Sequence, residues 1–116
     1  MTARFTLVLA LLTASLAAPA MAEESKEESC AYEAQVMSAV QQARLDNVAR
    51  DKVAGHIAAS SPAWPERYNA AIPGLVDYVY QLKRRDLRQN DFGAIWNQQC
   101  VDMWDQRQEM IKNLKN

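Results

Sequence analysis

The chain has 116 residues, 49% of them apolar and 23% charged, with three Gly, four Pro, two Cys and a formal net charge of −1. That length holds one small domain. The balance of 13 Lys+Arg against 14 Asp+Glu creates no field that would gather nucleic acid or an anionic membrane over the whole surface, so no nucleic-acid partner is expected.

Residues 1–22 open with a single cation, Arg4, run through apolar residues from Phe5 to Leu12 that alanines extend to Ala18, and end Pro19-Ala20-Met21-Ala22. This is the pattern of a cleaved signal peptide. Ala20 and Ala22 offer the small side chains that the peptidase admits, which puts cleavage between Ala22 and Glu23, with a site after Ala20 as second choice. The strongly apolar part is shorter than the roughly 20 residues that a bilayer needs, so no integral membrane span is expected after cleavage. Removal of 22 residues takes one of the 13 cations and no acid. What remains, residues 23–116, is expected to be a single, mildly acidic helical domain in the periplasm or secreted.

Export delivers Cys30 and Cys100 to an oxidising space, where they are expected to form a disulfide. The bridge closes a loop of about 71 residues, for which chain entropy gives roughly 4 kcal/mol. An intermolecular bridge is the alternative. A metal pair fits poorly, since these two Cys and the distant His56 match no ligand spacing, and no metal or cofactor is expected.

Ser25-Lys26-Glu27-Glu28 has the form in which side chains satisfy the first free amides of a helix, so a first helix is expected to start here. Tyr32, Val36, Val40 and Ala43 recur at four and three residues, and Met37 and Cys30 widen that stripe. Gln35, Ser38, Gln41 and Gln42 lie mainly off it. Asp46-Asn47 is expected to end the helix and cap a short second one carrying Val48, Val53 and Ile57 and ending near Ser60. Ser60 to Pro65 reads as a loop, with Pro65 suited to the first turn of a third helix. Tyr68, Ile72, Leu75, Val76, Val79, Tyr80 and Leu82 form its apolar stripe. Pro73-Gly74 should kink or split it into a short and a longer piece. Lys83-Arg84-Arg85 suits its C-terminus. Asn90 or Asp91 then caps a long last helix carrying Phe92, Ile95, Trp96, Cys100, Met103, Met110, Ile111 and Leu114. The class is all-α, a small bundle of four to five helices stapled by one disulfide.

The bridge lies near the start of the first helix but well inside the last. About 14 residues, or roughly 21 Å of helix, therefore extend beyond it. Met103, Met110, Ile111 and Leu114 must fold back, cover the third helix, or be left for another chain. Trp104 falls at the edge of that stripe. Trp64 and Tyr68 flank the proline loop, either as exposed anchors for a partner or as caps on the core. Lys83, Arg84, Arg85 and Arg88 place four cations within six residues, which can meet an anionic headgroup or an acidic partner, or simply form a solvated helix end.

No catalytic residues are identified. His56, the sole histidine, would need Ser, Cys or Asp beside it in space to act as a catalytic base, and in its short alanine-rich helix it reads as a partly exposed polar side chain; Asp77, Asp86, Asp102 and Asp105 are carboxylates such as any soluble helical surface carries.

Together with an N-terminal Cys and a helix–loop–helix, the Val76-Asp77-Tyr78-Val79-Tyr80 stretch and Phe92 eight residues before Cys100 give the chain a resemblance to the quorum-sensing-regulated virulence factor family of small secreted proteobacterial proteins. That resemblance implies an exported helical domain with a role in host interaction and no assigned catalytic residues. In size, compartment and single bridge the chain also resembles the periplasmic acid-stress chaperones, but its single His and fewer acid-exposed apolar segments depart from them. Two functional classes follow. One is a non-enzymatic exported interaction protein that binds an unknown protein partner or forms a homodimer. The other is a small apolar-ligand-binding or chaperone-like periplasmic protein with a cavity lined by Tyr78, Tyr80 and Trp96.

Overall fold

The structure, a computed structural model, describes residues 23–116, and the signal peptide expected at residues 1–22 lies outside them. The described residues are helical and contain no strand. Six α-helices follow one another: α1 Lys26–Leu45, α2 Val53–Ala59, α3 Ile72–Val79, α4 Arg84–Gln89, α5 Phe92–Asp102 and α6 Trp104–Lys115. Single 3-10 segments at Arg50–Lys52 and Glu66–Ala71 precede α2 and α3. The all-α bundle and its disulfide are those expected from the sequence, and the extra divisions have local backbone causes.

The Ser25 hydroxyl accepts the Glu28 amide at 3.1 Å and starts α1 as anticipated. The helix ends on Asn47 in the left-handed region at φ 62°. Its amide donates to the Arg44 carbonyl at 3.3 Å, and the Val48 amide to the Ala43 carbonyl at 3.0 Å, which together satisfy two of the last free carbonyls. Asp46 and Asn47 cap no following helix, because Ala49 precedes the next turn without a side-chain bond.

Pro65 introduces only the 3-10 segment. The α-helix begins at Ile72, with Pro73 in its first turn, where the missing amide donor is least costly. The expected split at Pro73-Gly74 is thus a change of helix type. α3 stops at Val79, and Lys83 is extended, at ψ 140°. Lys83, Arg84 and Arg85 consequently open α4 instead of closing the third helix. The long last helix is interrupted at Met103, with φ −100° and ψ 7°, giving α5 and α6.

The core joins Val36, Met37, Val40 and Ala43 of α1 to Val53 and Ile57 of α2, four residues of α3 and Leu87 of α4. α5 lies along α1, where the Cys30–Cys100 bridge holds the two Cα atoms at 5.6 Å. Gly93 permits this approach, because a Cβ there would sit 2.0 Å from the Ser38 hydroxyl and 3.1 Å from the Ala34 carbonyl. Gln41, which the helical pattern put off the apolar stripe, is buried. Its Nε2 donates to the Leu87 carbonyl at 2.6 Å and the Asn90 carbonyl at 2.8 Å, and its Oε1 accepts the Phe92 amide at 3.1 Å. One side chain of α1 thereby satisfies the backbone at the α4–α5 junction.

Candidate functional site

An apolar face runs from α3 across α5 to α6. Its first part is a groove of about 390 Å³ between α1, the Glu66–Ala71 turn and α3, lined by Val36, Tyr68, Gly74, Leu75 and Tyr78. The second is a groove of about 330 Å³ in the angle between α5 and α6, walled by Gln99, Met103, Gln106 and Met110, with Cys100 at its base. Trp96 and Arg107 line both, so the two grooves share a wall and form one face. Tyr78 lies 6.0 Å from Trp96 and 6.4 Å from Phe92 between ring centroids, within the range of favourable aromatic contact.

Arg107 orients α6. Its Nη1 and Nη2 donate to the two carboxylate oxygens of Glu33 on α1 at 2.7 and 3.0 Å, a paired geometry that fixes direction as well as distance. The carboxylate raises the guanidinium pKa further above its ordinary value. The same Nη1 is 3.8 Å from the Cys100 sulfur. Ion pair and disulfide together tie the first turn of α6 to α1. Beyond that turn the helix leaves the core, and none of its residues is buried.

The apolar side chains of this overhang face solvent: Met103 is 55% exposed, Met110 63%, Ile111 40% and Leu114 82%. They neither fold back nor cover α3. Trp104 is half-buried in the first turn of α6 and lines neither groove.

Trp64 is half-buried against the core, and its indole N–H donates to Asn69 Oδ1 at 2.8 Å, so it closes the core from outside. Tyr68 does the same while presenting an edge to the first groove. Its hydroxyl donates to Glu24 and accepts from Ser29 at 2.9 Å, and its ring lies 5.3 Å from that of Tyr32. The Tyr68 bond, followed by Arg67, holds the Glu24 carboxyl below its ordinary 4.5, whereas burial pushes the Tyr68 hydroxyl up. Tyr80, grouped with Tyr78 and Trp96 in the expected cavity, sits elsewhere. Its hydroxyl donates to the Val48 carbonyl at 2.6 Å, and its ring lies under the Arg44 guanidinium at 4.9 Å.

The four cations around α4 do not converge. Arg84 reaches back to Asn47, Arg85 lies 3.5 Å from Asp86, and Lys83 and Arg88 are exposed. His56 is exposed on α2. Among the described residues, no group of three or more His, Cys, Asp or Glu could hold a metal, and no helix is long and apolar enough to cross a membrane.

Glu33 and Arg107, the ion pair that borders both grooves, were missed by sequence reasoning. A signal existed: Arg107 is the one charge in the series Met103, Arg107, Met110, Leu114, which otherwise reads as an apolar seam at helical spacing. Set against known protein families, curated proteins and solved structures, the chain matches none.

Proposed function

We propose that the protein is an exported, non-enzymatic interaction module whose binding surface is the apolar face formed by Tyr78, Trp96 and α6. The observation that carries this reading is the solvent exposure of Met110, Ile111 and Leu114 on a helix anchored by Arg107 at one end and free of the core beyond it. An apolar surface contiguous with two grooves and edged by Gln99, Gln106 and Arg107 has the make-up of an interface: an oily centre with a polar rim. The disulfide supports an oxidising compartment, and the leader-like residues 1–22 support export. The likeness of residues 76–80 and the Phe92–Cys100 spacing to the secreted virulence-factor family points to a target met outside the exporting cell.

The test is binding of anilinonaphthalene sulfonate to dilute oxidised protein. The folded chain should bind the dye, and both Met110→Asp and truncation after Gln108, which keeps the Arg107–Glu33 pair, should remove most of that binding with the helical dichroism of the core retained. No binding by the intact chain overturns the reading. N-terminal sequencing of the exported product should begin at Glu23, and an unprocessed product overturns the export assignment.

A second reading rests on the groove of about 390 Å³ beside Tyr78 and Trp96, which is large enough for part of a small apolar ligand. It requires a long-chain fatty acid to change tryptophan emission and Trp96→Ala to abolish that change.

A further inference from the structure

We propose that Cys100 is a thiol-exchange site: a small neutral thiol or disulfide entering the α5–α6 groove forms its mixed disulfide on Cys100 and not on Cys30, and the Arg107 guanidinium stabilises the negative charge that exchange places on the Cys100 sulfur. The two halves of the bridge differ in access. Cys30 is 0% exposed and lines neither groove, whereas Cys100 is 5% exposed and lines the groove of about 330 Å³ between α5 and α6. Exchange requires a thiolate to meet sulfur directly, so access decides which of the two sulfurs is attacked. A thiol of a few heavy atoms fits within such a volume.

Charge favours the same sulfur. Arg107 Nη1 lies 3.8 Å from Cys100 Sγ while it donates to Glu33 at 2.7 Å. A cation at that distance stabilises a thiolate over a thiol. Glu33 of α1 is engaged by this same guanidinium, and burial keeps the Tyr68 hydroxyl of the Glu66–Ala71 turn protonated. Glu27 and Glu28 of α1, Asp102 of α5 and Asp105 of α6 are exposed, where water and salt screen them. Cys100 also lies in the last turn of α5, whose C-terminal end opposes negative charge. The guanidinium's advantage therefore belongs at the lower end of what an adjacent opposite charge gives, about one pH unit.

In the reducing direction a thiolate RS⁻ attacks Cys100 Sγ. The R–S–Sγ bond forms, the Cys30–Cys100 bond breaks, and Cys30 leaves with the electron pair and takes a proton from water. A second RS⁻ attacks the R-bearing sulfur of the adduct, releases the disulfide RSSR and leaves Cys100 as a thiolate beside Arg107. Two thiols are thereby oxidised to one disulfide, and the bridge takes up their two electrons. Oxidation of the reduced chain by RSSR runs through the same Cys100 adduct in reverse.

The test treats the oxidised exported chain with 2-mercaptoethanol, stops the reaction with excess N-ethylmaleimide and maps both cysteines by peptide mass spectrometry. The mercaptoethanol adduct should lie on Cys100 and the maleimide on Cys30, at a rate that low urea leaves unchanged. Adduct shared evenly between the two cysteines, or a rate that rises with urea in step with unfolding, places the attack in the unfolded chain and overturns the inference. In reduced Cys30→Ser, with its helical dichroism retained, alkylation of Cys100 by iodoacetamide should reach half its plateau about one pH unit lower than when Arg107→Ala is added. Arg107→Lys keeps the charge and should recover part of that difference. Identical pH profiles with and without Arg107 overturn the guanidinium's part. Should Cys30→Ser fail to fold, the disulfide-bonded chain gives the same comparison. There Arg107→Ala should slow adduct formation by about threefold, because only part of a unit charge develops on the attacked sulfur, and an unchanged rate overturns the assignment.

Discussion

Replacing Gln41 should destabilise the fold more than any exposed-face reading of its helix position would allow. The amide makes three bonds with no spare donor: both Nε2 hydrogens go to the Leu87 and Asn90 carbonyls, and Oε1 takes the Phe92 amide. The Phe92 amide is the first of α5 and has no partner within its own helix, while the Asp91 side chain accepts the Ala94 amide at 3.0 Å and its carbonyl the Ile95 amide at 3.1 Å. Each such bond contributes roughly 1 kcal/mol net, and the buried Leu87 carbonyl adds part of its desolvation cost when left alone. Water reaches Asn90 and partly reaches Phe92, which discounts those two, so Gln41→Ala should cost about 2–3 kcal/mol. Gln41→Leu restores most of the volume and none of the bonds, and should cost nearly as much. In a domain of this size the loss corresponds to a thermal midpoint lower by about 10–20 °C. Urea unfolding followed by circular dichroism gives the free energies, and exchange of the Phe92 amide locates the effect. Costs below about 0.5 kcal/mol for both variants would refute the staple, and a small cost for Leu beside a large one for Ala would assign it to packing alone.

Reduction of Cys30–Cys100, or its replacement by paired serines, should lower stability by about 4 kcal/mol through the longer free loop, and a loss below about 1 kcal/mol in urea titration would contradict that origin. Gly93→Ala should cost about 1–3 kcal/mol because its Cβ meets Ser38 and the Ala34 carbonyl, and adding Ser38→Ala should recover part of it, a coupling that a double-mutant cycle reads directly. The depressed Glu24 carboxyl stabilises its contacts with Tyr68 and Arg67 above its unfolded value of 4.5, and that contribution is lost as pH falls through the lower folded value. Tyr68 ring resonances should therefore shift in acid below that point and not in Glu24→Gln, whereas identical titrations would rule the carboxylate out. Ser61, at φ 51° after α2, should gain about 0.5–1 kcal/mol on replacement by glycine, measured as a raised thermal midpoint.

The parts of the fold legible in the sequence were those written in periodicity and punctuation. Ser25, the Val36–Val40–Ala43 stripe, the proline loop and the cysteine pair each act through local chemistry or through a pairing with one solution. Boundaries failed where two local rules competed. Pro73 satisfies both a broken helix and a helix's first turn, and only the packing of Ile72 and Leu75 on α1 selects the second. Gln41 was misplaced because a 3.6-residue period sorts side chains by polarity. A buried amide with three partners 46 to 51 residues away leaves no trace in that period.

The site was less legible than the fold for the same reason carried further. Counting residues beyond Cys100 placed Met110 and Leu114 past the bridge, an argument about length that left open whether they fold back, cover the third helix or stay exposed. The direction in which that overhang points depends on Glu33 and Arg107, which lie 74 residues apart and meet because α5 packs along α1. The pair is partly exposed, so its energetic value is modest. Its geometric value is larger: a forked pair one turn into α6 fixes the angle at the Met103 break, and that angle makes the groove between Met103, Met110 and Trp96. Arg107→Ala should consequently leave the urea midpoint nearly unchanged while weakening dye binding. Lys at this position, unable to span both carboxylate oxygens, should restore little of that binding.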